Sequence, residues 1–134
     1  MVTKEDLESY FLRLGVDYEE IEEGMWLLRS QDGPPVVVQM SPPVVVLRLK
    51  VLELPENADD ARLLPFYRRL LELNATDIVH GSYGIEEGDV ILSDALASET
   101  LDFEELRSSY ESLLLAAASH TQGLAELAMV VHEG

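Results

Sequence analysis

The chain has 134 residues, 47% of them apolar, with 26 acidic side chains against 9 basic ones and a net charge of −17. That is enough for one domain, residues 1–134, that buries about two-thirds of its unfolded surface. The charge argues against binding nucleic acid or anionic lipid, which both need Lys and Arg, and the absence of cysteine removes disulfides and thiolate metal sites and fits a cytoplasmic protein.

"MVTKEDLESY" has no basic start followed by an apolar run, so no signal peptide is read. "TKEDLESYFLRLG" predicts a first helix. Thr3 can accept its orphan N–H groups, Asp6 stands at the capping-box position, and Gly15 offers a left-handed stop. Leu7, Tyr10, Phe11 and Leu14 share one face. "VDYEEIEEGMWLLRSQDGPP" predicts a hairpin that turns at Gly24, with Asp32-Gly33 as a second turn signal.

"PPVVVQMSPPVVVLRLKVLEL", residues 34–54, is apolar enough to raise the question of a membrane anchor. Arg48 and Lys50 interrupt it and four prolines break any spanning helix, so it predicts strands. Pro42-Pro43 marks an edge, bend or bulge, since proline cannot donate to a ladder. With period two, Val45, Leu47, Leu49 and Val51 form the core side. The other side is Val44, Val46, Arg48, Lys50, Leu52 and Leu54, far more apolar than a solvated sheet face. Either the chain's own helices cover that side or a partner does.

"NADDARLLPFYRRLLELN" predicts a second helix, capped by Asn57, Asp59 or Asp60 and closed by Asn74, with Leu63, Phe66, Leu70 and Leu73 inward. "TDIVHGSYGIEEGDVILSDAL" predicts a hairpin with Glu87-Gly88 at its tip. "DFEELRSSYESLLLAAASH" predicts a long helix capped by Asp102, with Leu106, Tyr110, Leu113, Leu114 and Ala117 inward; "LAELAMVV" extends it or docks separately. The order is helix, three strands, helix, two strands, helix. Hairpin signals make the fold α+β with a mostly antiparallel sheet.

No string carries a catalytic pattern. "HGSYG" lacks the first glycine of a nucleophile elbow and leads into a strand, and Asp77 points away from His80 and Ser82. His80, His120 and His132 show no metal-ligand spacing, and the acid runs around Ile21 and Asp89 lack a calcium-loop pattern. Those runs read as solvated surface or a dock for a basic partner. Arg62, Arg68 and Arg69 gather positive charge on the second helix, with no glycine-rich phosphate loop nearby. No cofactor is expected.

The segments "PPVVVQMSPPVVVLRLKVLELP", "LPFYRRLLELNATDIVHGSYGIEEGDVILS" and "LDFEELRSSYESLLLAAASH" resemble YbjN-type proteins, bacterial relatives of the type III secretion chaperones with their CesT/Tir chaperone-like fold. The resemblance spans nearly the whole chain. It implies the order α-β-β-β-α-β-β-α and a homodimer, and it carries no catalytic motif.

The resulting expectation is a non-enzymatic homodimeric chaperone-like or regulatory protein that binds a partner polypeptide through apolar sheet and helix surface. Its binding residues would be Val44, Val46, Arg48, Lys50 and Leu52, with Trp26 as anchor, and its dimer contacts Phe66, Tyr67, Leu70 and Leu71. The alternative is a small-molecule binder or enzyme with a pocket around His80, Tyr83 and Trp26.

Overall fold

The computed structural model describes residues 1–31 and 33–133, with side chains described through residue 128. Asp32 of the Asp32-Gly33 turn signal and the side chain of His132 lie outside that description.

The elements in chain order are α1 (Lys4–Leu14), β1 (Asp17–Glu22), β2 (Met25–Arg29), β3 (Val36–Ser41), β4 (Val44–Glu53), α2 (Asp60–Thr76), β5 (Ser82–Glu86), β6 (Asp89–Ala97) and α3 (Phe103–Glu133). All strands join one antiparallel sheet in the order β1-β2-β3-β4-β6-β5. The α+β class and the placing of the three helices match expectation. Between α1 and α2 the chain forms four strands where the expected order counts three. The reason is local: Ser41 pairs with Val44, so Pro42-Pro43 closes a two-residue hairpin loop instead of bending one strand.

Local chemistry sets the element ends. Asp6 N–H donates to the Thr3 hydroxyl and Thr3 N–H to the Asp6 carboxylate, a complete capping box, and α1 stops at Gly15 with φ 76°. Asp59 is the residue that caps α2, accepting from Arg62 N–H at 2.9 Å. Asn74 stays inside α2, which closes at Asp77. Asp102 accepts from Glu105 N–H at 2.8 Å and caps α3, which continues as one helix through "LAELAMVV". Glu87 and Gly88, both at positive φ, form the tip between β5 and β6.

One face of the sheet builds the core. Trp26, Leu28, Val36, Val38, Val45, Leu47, Leu49, Tyr83, Val90 and Leu92 are buried under the helices with Leu7, Phe11, Phe66, Leu106 and Leu113. The three helices lie on this one face. Among the described residues, no helix is long and apolar enough to cross a membrane.

Candidate functional site

A strand residue buries one neighbour and exposes the next, so a sheet covered on one side leaves a second face to solvent or to a partner. Here that face is set by the register. Across the sheet run Glu19, Leu27, Val37, Arg48, Ser93 and Ser82, each opposite the next. A second row is Glu22, Met25, Gln39, Val46 and Ala95. Val44 and Ile91 stand on the same side. Met25, Leu27, Val37, Val44, Val46 and Ile91 are half-buried, held by their neighbours on the sheet with no helix above them among the described residues. The open side of the sheet thus carries an apolar band across β2, β3, β4 and β6.

Two of its cations, Arg48 and Lys50, are tethered at one end. Arg48 donates to Glu86 at 2.7 Å, and Lys50 pairs with Glu53 and with Asp89, the latter at 3.4 Å. The Glu53 hydrogen bond holds the Lys50 ammonium above its ordinary pKa. Their stems lie along the sheet while their charges are answered within the chain.

Of the residues expected to bind a partner, Val44, Val46, Arg48 and Lys50 thus fall together. Leu52 does not join them. A register shift between Lys50 and Leu52 puts Leu52 opposite the buried Val90, and its side chain packs against the core. One extra residue in a strand turns the residues after it to the opposite face, and period-two counting cannot see it. Trp26 is also elsewhere. It is 0% exposed, sits edge-on to Phe11 with centroids 5.6 Å apart, and donates its indole N–H to Glu8 at 3.0 Å. It anchors α1 to the sheet.

The residues expected at a dimer contact divide in the same way. Phe66 and Leu70 are core, at 0% and 5% exposure. Tyr67 is half-buried and Leu71 is 68% exposed. Leu64, outside the expected contact set, is 61% exposed; it stands seven residues before Leu71 and so on the same side of the helix. Tyr67, Leu71 and Asn74 border an apolar groove of about 270 Å³ whose far wall is Tyr83, Gly84 and Ile85 of β5.

The pocket expected around His80, Tyr83 and Trp26 does not form. Trp26 on β2 and Tyr83 on β5 are separated by four strand spacings, about 19 Å, and His80 lies in the bend before β5. The histidine that meets Tyr83 is His120 of α3. The Tyr83 hydroxyl lies 2.8 Å from His120 Nδ1, and His120 Nε2 lies 3.3 Å from the Asp77 carboxylate. Thirty-seven and forty-three residues separate these partners, so no local motif announces them. Asn74 completes the arrangement: its amide accepts from Tyr83 N–H at 2.7 Å and donates to Tyr83 C=O at 3.3 Å. It thereby answers an outward pair of backbone groups on an edge strand. Among the described residues, no three potential metal ligands converge.

Burial, and after it the nearby Asp77 carboxylate, pushes the Tyr83 hydroxyl up to about 12. The folded chain therefore keeps a proton that the unfolded chain loses from about pH 10 upward. Stability from this group is complete below pH 10 and declines as pH rises towards 12. Denaturant titrations across that range are expected to show the decline, and Tyr83→Phe is expected to flatten it. An equally steep decline in the variant would assign the effect to other groups.

The CesT_Tir_1 family model matches residues 2–130. No curated protein sequence matches the chain. Among solved structures, a chain of the heterodimeric ExoU–SpcU complex, from the type III secretion system of Pseudomonas aeruginosa, aligns with a TM-score of 0.68 at 13% identity, covering 87% of this chain and 95% of that one. A chain of the HopA1–SchA chaperone–effector complex aligns at 0.66 and 13% identity, covering 89% and 92%. YbjN from E. coli aligns at 0.59 and 16% identity, covering 89% and 93%.

Proposed function

Because the chain belongs to the CesT_Tir_1 family, we propose that it is a non-enzymatic, chaperone-like or regulatory homodimer that holds a partner polypeptide on the open face of its sheet. The observation that carries this reading is the band from Met25 to Ile91, apolar and half-buried, with no helix above it among the described residues. An apolar surface kept in water costs free energy that a partner recovers by covering it. The structural neighbours add support: SpcU and SchA are each solved in complex with another protein, HopA1–SchA being a chaperone–effector pair.

The homodimer is proposed to form along the outer side of α2 through Leu64, Tyr67 and Leu71. Leu64 and Leu71 are exposed and Tyr67 is half-buried beside them, on one side of one helix. Arg62 and Arg69 on the same helix make no ion pair among the described residues, which lowers the repulsion between two chains of net charge −17.

The test is retention of a partner by the unaltered chain and its loss by Val46→Glu. Val46 is half-buried on the open face, so the fold is expected to survive, and unchanged Trp26 fluorescence checks that. A folded Val46→Glu that keeps the same partner at the same yield would remove the sheet face from the function.

A further inference from the structure

We propose that the partner segment on the open sheet face is a cationic amphipathic helix, with an apolar stripe flanked by Lys or Arg. This rests on the reading of that face as the binding surface, and names the kind of segment it takes.

Geometry favours a helix over an extended strand on this face. A sheet edge offers free N–H and C=O groups to an extended strand, but a face offers none, because its backbone groups are already paired. An extended segment laid on the face would leave its own backbone unanswered against apolar side chains. A helix answers its own backbone and needs only a surface to pack on. The band from Met25 to Ile91 occupies four adjacent strands, β2, β3, β4 and β6. Three strand spacings are about 14 Å and one helix is about 10–12 Å across, so the band is wide enough to seat one helix.

Charge favours a cationic helix. Asp17, Glu19 and Glu22 stand opposite Arg29, Leu27 and Met25, which places a column of acids along the β1 border of the band. Along the β6 side the band meets the neutral Ser93, Ala95 and Ala97, and Glu86 and Asp89 stand beyond it at the end of β5 and β6. The cations that share this face are already engaged: Arg29 with Glu19, Arg48 with Glu86, and Lys50 with Glu53 and Asp89. Asp17 and Glu22 make no ion pair among the described residues. With a net charge of −17 behind it, the face attracts a segment that brings positive charge to its β1 flank and repels one that brings negative charge there.

Two labelled synthetic helices with one shared apolar stripe, flanked by Lys in one and Glu in the other, test this on the full chain. Fluorescence anisotropy at low and at about 1 M salt reads the affinities. The Lys helix is expected to bind at least ~10-fold tighter at low salt. That advantage should shrink at 1 M, where the screening length is about 3 Å, and in the triple variant Asp17→Asn, Glu19→Gln, Glu22→Gln. Both helices should weaken with Val46→Gln. Equal binding of the two helices would overturn the charge assignment and leave the binding face intact. A Lys helix that binds Val46→Gln unchanged would be held by charge elsewhere, which also overturns it. Binding of neither helix would overturn the reading of the face itself.

Discussion

Leu70→Asp is expected to unfold the chain, whereas Leu71→Asp, one residue along, is expected to leave it folded and halve its mass in solution. The difference lies in the helix period. Leu70 lies in the inward stripe with Leu63, Phe66 and Leu73 and is 5% exposed; Leu71 points away and is 68% exposed. At position 70 the substitution removes a packed side chain and puts a carboxylate in its place. Cavity and desolvation together cost about 4–5 kcal/mol, against a total stability of about 5–15 kcal/mol for a domain of this kind. At position 71 the carboxylate stays in water in the free chain and is desolvated only in a dimer. Circular dichroism and light scattering on the two variants separate the outcomes. A folded Leu70→Asp would contradict the packing of α2, and a Leu71→Asp that keeps the wild-type mass would contradict the α2 dimer.

Gly81→Ala is expected to cost about 3–5 kcal/mol, an unusual penalty for one methyl group. Two causes add. Gly81 has φ +84°, a left-handed conformation that L side chains rarely take. A Cβ built there would stand 2.2 Å from the Ser93 carbonyl oxygen and 3.0 Å from its carbon, and both are backbone atoms of β6 that the sheet fixes. The next residue, Ser82, opens β5 opposite Ser93, so relief at Gly81 would pull the edge strand from its partner. Guanidinium titration should show a lower midpoint at an unchanged slope. A loss under about 0.5 kcal/mol would show that position 81 has room the structure denies it.

The parts of the fold that sequence announces are those fixed by chemistry within a few residues. Thr3, Asp6 and Gly15 bound α1, Gly24 and Glu87-Gly88 turn two hairpins, and Asp102 starts α3. The features that sequence hides depend on pairing. Pro42-Pro43 is compatible with a bend or a turn until Ser41 is seen opposite Val44. The extra residue between Lys50 and Leu52 is invisible in a run of aliphatics, yet it turns Leu52 from the open face to the core. Asn74 looks like a helix stop because its side chain suits one, but it reaches Tyr83 instead.

The candidate surface was half legible for the same reason. Alternation placed Val44, Val46, Arg48 and Lys50 on one side, and the structure keeps them there. Alternation also gave Val45, Leu47 and Leu49 to the core, where they are buried, but nothing in it says that Leu27, Val37 and Ile91 join the open side from other strands. On α2 one stripe was asked to serve as both core and dimer contact. Phe66 and Leu70 are spent in the core, and the outward set begins at Leu64. Trp26 has the composition of an interface anchor, but its burial beneath Phe11 gives it a structural place.

The most direct test of the central claim is photocrosslinking in cells, with a crosslinking side chain placed at Val46 on the open face or at Leu115, which is 69% exposed on α3. The account predicts a crosslinked partner polypeptide from position 46 and none from position 115. The same partner captured only from position 115, with nothing from position 46, would contradict it.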